Sequence, residues 1–327
     1  MIGKVGGTVK KYVLNRLVSM VITLFILTIC VFAIIHLTPG SPARVMLGAD
    51  ASEEEVAELE ETLGLNDPLV IQYVDWVTNI LKGDWGDSYS RNGTVLEEIR
   101  KSFGPTLVLA LWAQGLAVII AIPLGIYAAK KKGKVQDSAV IAVSLIGISL
   151  PSFLLGLILV IVFSVNLKIL PVAGYKSIQE YGFITHLQYI VLPVISLAMM
   201  QAAMLTRMTR ASMIDVINND YIKTAKAKGV KERVILYKHA LKNAFIPIIT
   251  AIGQSFATLI SGAAVIETIF NIPGIGQLIA TSVTKRDYPV IQGVVLIISL
   301  IYVIINLCID LLYGAIDPRI RISGGTK

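Results

Sequence analysis

The sequence predicts an all-α polytopic membrane protein with six transmembrane helices and an external helical segment between the first two. Three observations predict it. First, 55% of the 327 residues are hydrophobic and only 16% charged, where soluble domains carry about 25% charged residues. Second, six apolar runs reach the roughly 20 residues that a helix needs to cross the hydrocarbon core. Third, the basic residues alternate in density along the chain as the positive-inside rule requires. A mean hydropathy of +0.73 excludes a water-soluble globule and a disordered chain.

The runs cover residues 12–37, 105–129, 139–165, 189–205, 245–270 and 290–313. The fourth is the shortest and is interrupted by Pro193. With the N-terminus inside, stretches 1–16, 130–137, 206–244 and 317–327 carry 20 of the 29 Lys and Arg, against 9 in 38–104, 166–188 and 271–289. The net charge of +7 therefore reads as topology, not nucleic-acid binding, and both termini are expected in the cytoplasm. The first run exceeds the apolar core of a signal peptide and reads as a retained anchor. Cys30 and Cys308 lie in apolar runs and read as small core residues. The chain accordingly divides into residues 1–37 (N-terminus and first span), 38–104 (external), 105–316 (core, with loop 206–244) and 317–327 (tail).

Within 38–104, Ser52 and Glu55 form a capping-box signature, followed by Val56, Leu59 and Leu63 on one face and Gly64 as a stop. Asp67-Pro68 opens a second helix with a stripe of Ile71, Val74, Val77 and Leu81, ending at Gly83. This pair reads either as a lid over the bundle or as a docking surface for an external partner. In 206–244, Asn218-Asn219-Asp220 caps a short helix that stops at Gly229. A second amphipathic helix follows, with Val234, Ile235, Ala240 and Leu241 on one side. The small residues of the short helix permit close approach by another protein. Alternatively Lys223, Lys226 and Lys228 hold it on anionic lipid.

No catalytic or metal site is legible. Gly-Lys occurs only at Gly3-Lys4 and Gly133-Lys134, neither in a phosphate-binding loop, and His36, His186 and His239 are far apart. Glu267 and Asp310 are the acidic residues in or near spans, where ionisable groups are functional candidates. Glu267 is placed in the pathway or at a subunit interface, with Arg286 as a possible partner. Pro123, Pro151, Pro193 and Pro247 are bend points or static kinks.

The stretch Asp220-Tyr221-Ile222-Lys223-Thr224-Ala225-Lys226-Ala227-Lys228-Gly229, with His239-Ala240-Leu241-Lys242-Asn243-Ala244, resembles the cytoplasmic loop of ATP-binding-cassette (ABC) importer permeases. It departs from the general Glu-Ala-Ala pattern at Lys223 and Thr224 and is similar to the Thr-Ala-x-Ala-Lys-Gly form of the dipeptide, oligopeptide and nickel branch. Five further motifs resemble that family in order. They are Leu37–Pro42, Leu63–Pro68 with Gly83-Asp84-Trp85-Gly86, Val265–Phe270 with Pro273–Gly276, Arg286–Pro289, and Asp317–Arg321.

The resemblance implies a type I ABC importer permease fold in a bacterial inner membrane. It also implies a second homologous permease, two cytoplasmic ATPases that bind the ATP and Mg, and an external substrate-binding protein. No cofactor belongs to this chain. ATPase coupling would fall on Asp220, Tyr221, Thr224, Ala225, Ala227, Gly229 and His239. The cargo implied is a di- or oligopeptide. The alternatives are a nickel chelate, or a proton-driven secondary transporter of another class.

Overall fold

A computed structural model describes residues 18–33, 41–48 and 50–316. In chain order the helices are α1 (Val18–Ala33), α2 (Pro42–Leu47), α3 (Glu53–Thr62), α4 (Leu69–Leu81) and α5 (Val95–Lys130). They continue as α6 (Val135–Ser149), α7 (Ser152–Leu159), α8 (Ile178–Tyr181), α9 (Phe183–Ile217) and α10 (Asp220–Ala227). The last are α11 (Glu232–Val234), α12 (Leu241–Gly262), α13 (Ala264–Ile269), α14 (Ile275–Thr284) and α15 (Tyr288–Ile316). The chain forms two compact units, residues 1–104 with 273–304 and residues 105–272 with 305–327.

In the first unit, α3 begins as the capping box requires. The Ser52 hydroxyl accepts from the Glu55 N–H (3.2 Å), and the Ser52 N–H donates to the Glu55 carboxylate (2.8 Å). These bonds favour the carboxylate and hold Glu55 below its ordinary pKa. The Gln72 amide donates to the carbonyls of Leu65 (3.0 Å) and Asp67 (2.7 Å), fastening the turn into α4. The expected aliphatic stripe of α4 is not the buried one, because Ile71, Val74 and Leu81 are exposed. Tyr73 and Trp76 face α1 instead, their rings 5.4 and 6.1 Å from that of Phe32, and the Tyr73 hydroxyl meets Thr28 Oγ1 at 2.9 Å. Aromatic rings bury more area per side chain than the aliphatic stripe offers, and they set the face.

The stretch 271–289, expected to be a plain loop, contains the apolar helix α14. Its Ile275 and Leu278 pack with Val95, Ile99, Val290 and Val294 in one cluster. Asp287, fully buried, anchors the segment before α5. It accepts from the hydroxyls of Ser88 (2.5 Å) and Ser90 (2.8 Å) and from the N–H groups of Tyr89 (3.1 Å) and Ser90 (3.0 Å). Burial and the nearby Asp287 carboxylate raise the Tyr89 phenol above its usual range.

In the second unit the fourth predicted run is extended. It lies in α9, 35 residues with Pro193 inside an unbroken helix. Its apolar window is 67% buried, against 22–33% for the other continuous spans. Neighbours in a bundle satisfy the carbonyl that a proline leaves unpaired, so Pro193 need not end the helix. α9 also absorbs residues 206–217, expected to be loop.

The third predicted run, by contrast, is broken. α6 and α7 meet at 92°. Leu150 is extended (φ −85°, ψ 115°) because the ring of Pro151 disfavours a helical residue before it. The second amphipathic helix and the fifth run are one helix from Glu232 to Ile260, including a π-helical turn at Ile235–Ala240. Among the described residues four helices are long and apolar enough to cross a membrane, and the bent pair makes a fifth. The described part of the first run, α1, is shorter, and its flanks at 12–17 and 34–37 lie outside the described residues.

Cys30 and Cys308 are exposed, not core.

Candidate functional site

The helix α10 is eight residues long, too short to be stable alone, and its position depends on packing. Asn219 precedes it in extended conformation but makes no side-chain cap. Asp220 takes the Lys223 ammonium at 2.8 Å, and the Thr224 hydroxyl donates to the Asp220 carbonyl at 3.0 Å. At the far end Gly229 adopts φ +74°, with its N–H on the Lys226 carbonyl (3.0 Å) and the Val230 N–H on the Ala225 carbonyl (3.2 Å). This left-handed turn reverses the chain into α11, and glycine adopts it without steric cost.

One face of α10 is locked inward. Ile222 is fully buried with Ile126, Met213, Ile235, Leu236, Ala240 and Ile248, and Ala225 packs against the same cluster. Burying Ile222 contributes about 1.5–3 kcal/mol. The other face, with Tyr221, Thr224, Ala227 and Lys228, is exposed. The Tyr221 hydroxyl accepts from the Asn243 amide (2.9 Å), which also donates to the His239 carbonyl (3.0 Å). Of the seven expected coupling residues, Tyr221 and His239 are thus joined through Asn243, while Ala225 serves the chain's own core.

Two ion pairs bracket this end of the unit. The Lys130 ammonium lies 2.7 Å from Glu232. Arg210 donates through two nitrogens to Asp137 (2.5 and 2.8 Å), whose carboxylate also accepts from the Gly133 N–H (3.0 Å). Asp137 is 3% exposed.

Sequence reasoning missed Ile222, Asn243, Asp137 and Arg210. Ile222 had a signal, as the one large aliphatic residue of 220–229. The others had none, because their partners lie 22 and 73 residues away.

Elsewhere, Glu267 is fully buried and accepts from the Thr106 hydroxyl at 2.6 Å. It belongs to the second unit. Arg286 belongs to the first, in a left-handed turn (φ +52°) just before α15. The side chain of Asp310 lies outside what is described. Of the proline candidates, Pro151 stands at the break, while Pro123, Pro193 and Pro247 lie within continuous helices. His186 lies in the first turn of α9 and is buried, with its Nδ1 2.6 Å from the Lys176 carbonyl.

Residues 121–322 match the family described as binding-protein-dependent transport system inner membrane component, and residues 9–110 match its N-terminal component. The chain is 42% identical over 310 residues to the probable peptide ABC transporter permease protein y4tP of Sinorhizobium fredii, covering 95% of this chain and 99% of that one. It is 41% identical to the glutathione transport system permease protein GsiC of Escherichia coli K12, covering 95% and 98%. The fold is similar to that of an inward-facing MetNI methionine ABC transporter structure, with a TM-score of 0.54 at 16% identity over 68% of this chain and 97% of that one.

Proposed function

The chain belongs to the family of binding-protein-dependent transport system inner membrane components, and from that premise we propose that it forms half of the path by which an importer takes up short peptides. It is a permease subunit of an ABC importer and non-catalytic, since in this family separate ATPase subunits hydrolyse the ATP. The second half of the path is a homologous permease. Peptide cargo is favoured over a nickel chelate by similarity to permeases named for peptide and glutathione. An external binding protein delivers it.

The observation that carries the coupling assignment is the two-faced α10. Its inner face is fixed by Ile222 in the core, and its outer face, Tyr221, Thr224 and Ala227, is free to enter a groove of an ATPase. Closure of the ATPase pair displaces α10, and the core around Ile222 passes that displacement to α9 and α12.

Gly229 supplies the test. A Cβ there would meet no other group within 4 Å, so the first atom of a side chain enters open space. The left-handed φ makes Gly229→Leu cost about 1–2 kcal/mol locally. Gly229→Leu should insert into the membrane at normal level yet lose at least tenfold in peptide uptake, with ATP turnover no longer stimulated by the loaded binding protein. Undiminished uptake by this variant contradicts the assignment.

A further inference from the structure

The first unit contains a cavity of about 540 Å³ between α1, α2, α4, the segment before α5 and the start of α15. Its volume falls in the range of small-molecule sites, roughly 300–1,000 Å³. Four acidic residues line it, Asp67, Asp75, Asp84 and Asp87, and among the described residues no Lys, Arg or His does. None of the four is in an ion pair among the described residues. The rings of Trp76, Trp85 and Tyr288 supply aromatic wall.

Gln292, one helical turn beyond Tyr288, lines the same space. It is 6% exposed, and its side-chain amide has no hydrogen-bond partner among the described residues. The little of this side chain that stays accessible opens on the cavity. This amide is therefore placed to bond whatever enters.

The carboxylates select a cation, and their spacing selects its kind. No three acidic, His or Cys side chains among the described residues come close enough together to hold a metal ion. A bare ion needs converging oxygens, whereas an organic cation with a body fills a wide cavity and gains from aromatic faces. We propose that this cavity binds the ammonium-bearing amino-terminal end of a short peptide. The carboxylates take the charge, the indoles flank the first side chains, and the Gln292 amide bonds the peptide backbone. The site rests on the peptide reading of the cargo and on residues 38–104 facing outward.

The test uses the full chain with its companion subunits in lipid nanodiscs. The chain has three tryptophans, so Trp112→Phe leaves Trp76 and Trp85, both in the cavity wall, as its reporters. The companion subunits carry no tryptophan, theirs having been replaced by phenylalanine. Tri-alanine and its carboxy-terminal amide should give saturable fluorescence changes. N-acetylated tri-alanine should bind at least tenfold more weakly, and so should tri-alanine to the Asp75→Asn/Asp87→Asn variant.

Equal binding of the acetylated peptide, or no saturable response to the free amines, overturns the proposal. A stronger response to acetyl-lysine methylamide than to tri-alanine also overturns it, in favour of a basic side chain. Uptake of labelled tri-alanine by cells carrying the complete importer is measured in parallel. Uptake without a fluorescence response removes the cavity and leaves the peptide reading standing, whereas binding without uptake keeps the cavity and removes that reading of the cargo.

Discussion

Asp137 shows what one residue contributes beyond its place in the sequence. By position it is one more polar residue after a run of lysines. In the fold it is 3% exposed and chelated by Arg210 and the Gly133 N–H. Removing one member of such a pair leaves a buried, uncompensated charge, which costs about 3–5 kcal/mol. Asp137→Ala and Arg210→Ala should each lower the thermal midpoint of the purified protein. The double variant should be less destabilised than the sum of the two, by about 0.5–3 kcal/mol. Additive effects in that cycle, read by unfolding in detergent, would mean that the pair does not act as a unit. Asp287 and Asn243 have the same logic. Each reaches groups far away in sequence, and no local spacing announces them. Gly229 and the Ser52–Glu55 box were legible because their partners lie within a few residues, where turn and cap chemistry leave a signature.

Helices were legible wherever apolar periodicity and a terminator coincided, as in α3, α4 and α10. Their ends were less so. α9 outran its prediction because Pro193 reads as a breaker, and α6–α7 fell short because Pro151 breaks the run. A proline's local chemistry is the same in both places. Packing decides the outcome, and packing is not written in a window of the sequence.

Close helix approach follows a similar rule. A Cβ on Gly125 would lie 2.6 Å from Thr209 Cβ and 2.9 Å from the Thr206 carbonyl oxygen, which is backbone and cannot turn aside. A Cβ on Gly253 would meet only the flexible end of Ile309, at 2.4 Å. Gly125→Ala should therefore destabilise by about 1–3 kcal/mol, while Gly253→Ala should remain within about 1 kcal/mol of the parent as Ile309 changes rotamer. Equal thermal shifts for the two would refute this ordering of backbone over side-chain clashes.

At the scale of the whole molecule, composition and charge established a multi-pass membrane chain, and the family assignment agrees. The division into two units, with residues 273–304 joining 1–104, was not legible, since it joins segments separated by 168 residues. The inside-positive orientation makes a direct prediction. In a variant with Cys30 and Cys308 replaced by alanine, a cysteine introduced at Lys228 should react with a membrane-impermeant maleimide only in inside-out vesicles. One at Glu58 should react only from the other side. The reverse pattern would invert the topology and remove both the ATPase contact and the outward cavity.

Along α9 the hydroxyls of Ser196 and Thr206 bend back to the carbonyls of Leu192 and Ala202, 2.8 and 2.6 Å away. These polar groups are quenched inside their own helix. A neighbour shifting past them exchanges dispersion contacts and breaks no bond with them. Of the continuous spans described, α9 is the most enclosed, and its cross-ties are few and placed apart: the Gln201 amide reaches the Ser255 carbonyl of α12 at 3.5 Å, and Arg210 clamps Asp137 nearer the end.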